Sequence, residues 1–245
     1  MNSICLSVSQ RLPAAVLVCL LASWSGAADL ADAPSQTRSP IPPYPSIRLS
    51  SILMQSTSVD GQVSHGLNMP RLDEVLNNLH RHAASYPTRF ANEQDQARAR
   101  DDATKLSVFF DTLDQPDQKD GGMLLRSAML NAMAHHLDIA GSMSKADQYF
   151  ERLIQLKPDA ANAHQQYGLF LASSARSKQA VKHLTQAKLL GARVGFPLAM
   201  AHFATGDRNA AIEQLNLYLQ NQPHDQKARR MLAAIQDNRA FVKSK

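Results

Sequence analysis

The hydrophobic pattern divides the chain into three regimes. Leu12 to Trp24 is apolar except at Pro13 and Ser23, with no polar face. From Asp29 to Met69 no period is visible: five prolines stand between Ala33 and Pro45, serines follow, and Ile47 to Met54 is the one apolar patch. Beyond Pro70 the apolar residues recur at the three-and-four spacing that lines one face of a helix. Leu72, Val75, Leu76 and Leu79 predict a helix opened by Pro70, whose fixed φ suits a first turn, and ended by Pro87. A second helix runs from about Glu93 to Leu113. Leu106, Phe109, Phe110 and Leu113 lie on one side of it, Arg98, Arg100, Asp101 and Asp102 largely on the other, and Pro116 with Gly121-Gly122 closes it. The expectation over residues 70–122 is an antiparallel helix pair that covers one end of the core to follow.

The rest of the chain repeats itself. Gly141 and Gly206, Ala146 and Ala211, Phe150 and Leu215, and Pro158 and Pro223 are each 65 residues apart. Ala146 to Ala180 is 34 residues and Ala180 to Ala211 is 31, which predicts two consecutive periods with three residues deleted from the loop near Gly191 to Gly195. Small residues are needed where paired helices come closest, and larger ones such as Phe150 and Leu215 fill the wedge between pairs. The units within 123–225 are 127–160, 161–191 and 192–225. Their first helices carry Leu130, Met133, Ala134 and Leu137, then His164, Tyr167, Gly168 and Leu171, then Leu198, Ala199 and His202.

This arrangement resembles the tetratricopeptide repeat (TPR), with a large residue, Leu-Gly and Tyr on a first helix and Ala, Phe and Pro around a second. The second unit departs from it in lacking the final proline. The resemblance covers about half the chain and implies an all-α fold, a TPR-like superhelix of antiparallel helix pairs. About three repeats would stand behind the N-terminal pair. Residues 226–245 would supply a capping helix, from about Asp225 to Phe241, with Ala228, Leu232 and Ile235 inward. Three aliphatic residues make too narrow a face for a membrane-surface helix.

Composition refines this picture. With 245 residues, 44% hydrophobic and only 6% aromatic, the chain can fill a helical core and is neither collagen-like nor wholly disordered. The apolar stretch in residues 1–28 is shorter than the roughly 20 residues of a spanning helix and fits a secretory h-region of about 7–15. Small residues Ser25-Gly26-Ala27-Ala28 follow, so cleavage after Ala27 or Ala28 and a periplasmic or otherwise exported protein are expected. An uncleaved anchor is the alternative, and the only membrane contact anticipated. Both cysteines, Cys5 and Cys19, fall in this segment, so the mature chain has no disulfide to lean on. Residues 29–69 read as a mostly disordered Pro/Ser-rich linker, with Ile47–Met54 as a docking strand in the alternative.

The net charge of +5 is unevenly placed: residues 29–126 hold 10 basic and 13 acidic groups, residues 127–245 hold 15 and 8. The C-terminal half therefore attracts anions. Nucleic acid is not the expected partner, because the chain has no arginine-rich run, zinc-finger spacing or aromatic-studded strand pattern.

No catalytic motif emerges. Nine histidines are present, but the zinc-protease helix signature is not, and a mature chain without Cys would have to bind metal through His and carboxylates alone. His135 and Asp138 share a helix face and read as a surface pair. Ser64-His65-Gly66 lacks a nucleophile elbow, and no phosphate-cradling loop occurs. Neither enzyme activity, cofactor, metal nor small-molecule substrate is expected.

What remains is a surface. In TPR arrays the first helix of each pair lines a concave groove that holds a segment of a partner protein. The resemblance implies the same for Asn131, His135 and Asp138, for Asn162, Gln165, Gln166 and Leu169, and for Arg193, Phe196, Met200 and Phe203. Amides bond the backbone of an extended peptide, and Phe and Met pocket its side chains. Alternatively, the last three pack against the terminal helices of their own chain. The chaperone-binding branch of the family clamps a terminal carboxylate with Lys, Asn and Arg. Asn131, His135, Gln165, Gln166, Arg193 and Pro197 do not reproduce that clamp. The expected role is an exported scaffold or adaptor in an envelope assembly such as pilus, secretion or polysaccharide-export machinery. The alternative is an accessory subunit of an envelope enzyme or transporter.

Overall fold

The computed structural model describes residues 41–57, 63–114 and 119–237. The expected signal peptide lies outside them. Helix α1 (Met69–Ala83) and helix α2 (Glu93–Leu113) precede three helix pairs. These are α3 (Gly121–His136) with α4 (Ser142–Leu156), α5 (Ala161–Ser173) with α6 (Ser177–Leu189), and α7 (Gly195–Ala204) with α8 (Arg208–Asn221). Helix α9 (Gln226–Gln236) packs on α8 and closes the series. The fold is an all-α, TPR-like superhelix.

Each pair closes on small residues, as the register requires. Ala134, Gly168 and Ala199 on first helices, and Ala146, Ala180 and Ala211 on second helices, are all buried. Phe150, Leu184 and Leu215 are buried beside them. A Cβ on Gly168 would stand 2.7 Å from Leu184 Cγ and 3.1 Å from the Leu184 nitrogen, closer than packed atoms come. The turns between paired helices pass through the left-handed region at equivalent places, with φ of 79° at Gly141, 59° at Ala175 and 84° at Gly206. The second unit thus puts a side chain where its neighbours use glycine. A left-handed L-residue costs about 1–2 kcal/mol, partly offset by the greater freedom glycine has when unfolded. Ala175→Gly is therefore expected to raise stability by roughly 0.5–1 kcal/mol, measurable as a higher urea midpoint at unchanged slope.

The missing three residues are not in the loop. Helix α7 opens at Gly195, a full 34 residues after α5 opens at Ala161, but runs for 10 residues where α5 runs for 13. Nearly one turn has gone from the first helix itself. Gly121-Gly122 likewise does not close α2. Asp120 caps α3 there, its side chain accepting from the Gly122 and Met123 nitrogens, so the first repeat starts six residues before Ser127. Helix α1 ends at Ala83, short of Pro87, and α9 ends at Gln236, with the expected extension to Phe241 reaching residues outside the description.

Helix α3 is buried on nearly all sides, from Leu124 to Leu137, which its weakly polar sequence permits. One flank meets α4 and α5, while Leu130, Met133, Ala134 and Leu137 meet α1 and α2. The expected antiparallel pairing of α1 with α2 is only partly realised: each lies closer to α3 than to the other. Leu72, Val75, Leu76 and Leu79 make most of the buried face of α1 bulky, its small residue Ala83 standing only at the C-terminal end, and a third element packs into the same cluster.

That element belongs to the expected linker. Tyr44 is 1% exposed. Its amide donates to Asp95 Oδ2 at 2.9 Å, its hydroxyl to Asp102 Oδ2 at 3.1 Å, and its carbonyl accepts from Arg98 Nη2 at 3.0 Å. The ring stands edge-on to His82 and Phe90. Ile52 is buried below it, at the end of a short 3-10 turn. An antiparallel hairpin of β1 (Leu53–Thr57) and β2 (Val63–Leu67) then leads into α1. Residues 41–57 and 63–69 are folded, contrary to the disordered reading, because one aromatic and a few aliphatic side chains suffice to fix an extended segment when a preformed cleft receives them.

Candidate partner-binding groove

First and second helices hold the superhelix together differently, and that difference sets its curvature. First helices lie close to one another, α1 on α3 and α3 on α5. Second helices are joined by long side chains: Arg152 grips Asp114 at the end of α2, Lys145 reaches Asp111, and Lys188 Nζ donates to Gln214 Oε1 at 2.7 Å. The closer layer is the inner one. A surface presented by α1, α3 and α5 is therefore the concave face, and α7 is the next first helix in the series.

At its N-terminal end lies an open cleft of about 290 Å³ between α1 and α3, lined by Leu76, Asn77, His80, Leu125 and Met129. Arg126 bridges it, gripping Asp73 through Nε and Nη2 at 2.7 and 2.8 Å. The Arg126 guanidinium holds the Asp73 carboxyl below the usual carboxylate range. None of these residues was placed in the groove from the sequence, because the groove was counted from residue 127 and α1 was read only as a cover. The α1 periodicity contained the signal: Asn77 and His80 are among its exposed polar positions.

The residues expected in the groove fall into three groups. Asn162 is exposed, and Gln165, Gln166 and Leu169 are half-buried along α5, with Gln166 Nε2 3.4 Å from Asn162 Oδ1. His135 is half-buried, edge-on to Phe170, and Asp138 is exposed in a left-handed turn. Asn131 is a correction. It is fully buried (0% exposed), accepting from Ser107 Oγ at 2.9 Å and donating to the Ser127 carbonyl, so it ties α3 to α2 and cannot meet a partner. Phe196, Met200 and Phe203 are half-buried against the cluster formed by α7, α8 and α9, contacts made within the chain. Part of each remains accessible. Arg193 is exposed just before α7.

Histidines join the layers. His136 lies with Nδ1 2.9 Å from the Ala83 carbonyl and Nε2 2.8 Å from Ser173 Oγ, linking α1, α3 and α5. His164 and His183 stack with their Nδ1 atoms 3.1 Å apart, and His164 Nε2 is 3.1 Å from the Pro158 carbonyl. The network assigns His164 Nε2–H to that carbonyl, leaving its Nδ1 to accept from His183. Burial, then the nearby His164 and Lys182, push His183 down from the ordinary 6.5 to about 4. Burial also lowers His135 and His136. All three resist protonation when folded, whereas the unfolded chain takes up protons near 6.5. Stability is therefore expected to be fully present above pH 6.5 and to fall as pH drops toward about 4. Urea midpoints across that window test this, and His183→Gln should flatten the slope.

Among the described residues no three His, Cys, Asp or Glu side chains converge as metal ligands, and no helix is long and apolar enough to cross a membrane. No family model matches the chain, and no curated protein sequence does. A solved structure is similar: a thermophilic TPR protein from Thermus thermophilus, 19% identical, covering 68% of this chain and 91% of that one with a TM-score of 0.44. In this chain the fold rests on its own repeats, whose small slots, left-handed turns and stacked pairs make it a TPR-like superhelix, the type of scaffold on which protein–protein interaction surfaces are built.

Proposed function

We propose that this protein is an exported adaptor that holds a segment of a partner protein in its concave groove and serves an envelope assembly of the pilus, secretion or polysaccharide-export kind. The observation that carries the binding role is the strip Asn162, Gln165, Gln166 and Leu169, left half-buried or exposed along the first helix α5. Amides on a rigid helix offer paired donors and acceptors to an extended backbone, and the separate cleft between α1 and α3 offers room for a side chain. Export is supported by Leu12 to Trp24 and the small residues that follow.

The test is crosslinking in the native host with the full-length tagged protein, followed by mass spectrometry. Gln166→Arg combined with Leu169→Asp is expected to abolish recovery of the partner while leaving helical content at the parental level. Undiminished recovery would defeat the groove. The mature N-terminus should begin at Ala28 or Asp29, and a cytoplasmic protein retaining Met1 would remove the envelope from the reading.

A further inference from the structure

The charge asymmetry of the sequence becomes a difference in pairing once the chain is folded. All seven ion pairs between Lys or Arg and a carboxylate among the described residues involve cations from Arg71 to Arg176. None of the eight cations from Lys178 to Arg230 has a carboxylate of the described residues within ion-pair distance. Nearby acids are engaged elsewhere. Asp207 accepts from the Ala210 nitrogen, and Asp225 accepts from the Ala228 nitrogen and, at 2.8 Å, from the Tyr218 hydroxyl. Both carboxylates cap helices, and although the Lys227 charge helps hold Asp225 below its ordinary value, neither forms an ion pair with any of these cations.

Part of this charge gathers at the C-terminal end of the groove. Lys227 on α9 places Nζ 5.1 Å from the centroid of the Phe196 ring, which Tyr218 supports from the other helix of the pair. Arg193 leaves the chain three residues before Phe196 and is exposed. Arg230, one turn along α9 from Lys227, bonds the Gln226 amide at 3.2 Å. A half-buried aromatic ring thus carries one cation, Lys227, over its face, with Arg193 exposed three residues before it in the chain and Arg230 one turn further along α9. Lys227 over the ring keeps its remaining N–H donors for a further acceptor.

We propose that this end of the groove docks an acidic segment of the partner polypeptide, its carboxylates held by Arg193, Lys227 and Arg230 and an apolar side chain resting on Phe196. The inference rests on the groove reading above and adds the chemistry of the partner to it. Carboxylates supply the charged acceptors that none of the three cations has within ion-pair distance among the described residues. A partner side chain on the ring explains why an aromatic residue stays partly open there, and the attraction is steered from a distance at low salt.

The test uses the mature chain and a fluorescein-labelled peptide of repeated Glu-Glu-Leu, read by anisotropy. Binding should weaken steeply with added salt, and Arg193→Glu with Lys227→Glu should reduce affinity by about tenfold or more, the scale of a lost charge-assisted contact. Neutral Lys227→Gln should give an intermediate loss, and Lys182→Glu, on the outward face of α6, almost none. No binding, or equal losses for Lys182→Glu and the double variant, overturns the proposal. So does stronger binding to a single-stranded oligonucleotide or to phosphatidylglycerol vesicles. Crosslinking separates the two readings. If the native partner is retained by the Arg193/Lys227 variant but lost with Gln166 and Leu169, the groove stands and the acidic segment falls. If both variants retain it, the groove itself is wrong.

Discussion

Replacing Tyr44 with alanine is expected to destabilise the protein by about 3–5 kcal/mol, the range for removing a large buried aromatic side chain. The ring fills the space that α1 and α2 leave between them, and its removal exposes His82 and Phe90 to a void. It also strips Asp102 of a hydrogen bond. Burial already pushes that carboxyl up, and the Tyr44 hydroxyl is the chief influence opposing it, so Asp102 would be raised further in the variant. Tyr44→Phe separates the two effects. It keeps the packing and loses one hydrogen bond to a charged group, worth about 1.5–3 kcal/mol. Urea denaturation of both variants measures the difference. A parental midpoint for Tyr44→Ala would mean that the 41–57 segment does not occupy this cleft in solution.

Introducing a side chain at Gly168 should cost about 1–3 kcal/mol or more, because α5 and α6 touch there. The obstruction is not only the mobile end of Leu184. The Leu184 nitrogen also stands 3.1 Å from where the Cβ would go, and backbone cannot turn aside as a side chain can. Gly168→Val is therefore expected to lower the melting temperature, and Ala180→Leu, at the facing small slot, to do the same by a comparable amount. Combining Gly168→Val with Leu184→Ala should cost less than the sum of the single changes, since the second opens room for the first. Strict additivity would place these residues too far apart to couple and would break the register that defines the repeat.

The three repeat pairs, α3 with α4, α5 with α6 and α7 with α8, and their order were legible in the sequence alone. Ala146, Ala180 and Ala211 needed no structure to be recognised as contact points, because a close helix crossing tolerates only small residues and the spacing of 34 and 31 repeats that demand. Local chemistry of this kind is legible because each helix satisfies its own backbone and shows its buried face through periodicity. Long-range geometry is not. The register counted a deletion of three residues but could not tell a shortened α7 from a shortened loop, since both displace the next unit equally. Tyr44 sits in a proline-rich stretch without periodicity, and the partners that hold it, Asp95 and Asp102, stand 51 and 58 residues further along the chain on α2.

The groove divides along the same line. The amides of α5 were placed by helical phase, and they do lie on an accessible face. Asn131 has the same phase, yet Ser107, 24 residues away on α2, covers it. Phase reports which residues share a side of a helix, and only the neighbouring helices decide whether that side meets solvent. The curvature belongs wholly to the tertiary structure: the first helices α1, α3 and α5, lying close together, and second helices joined through the long side chains Arg152, Lys145 and Lys188 create a concave face that no single repeat contains.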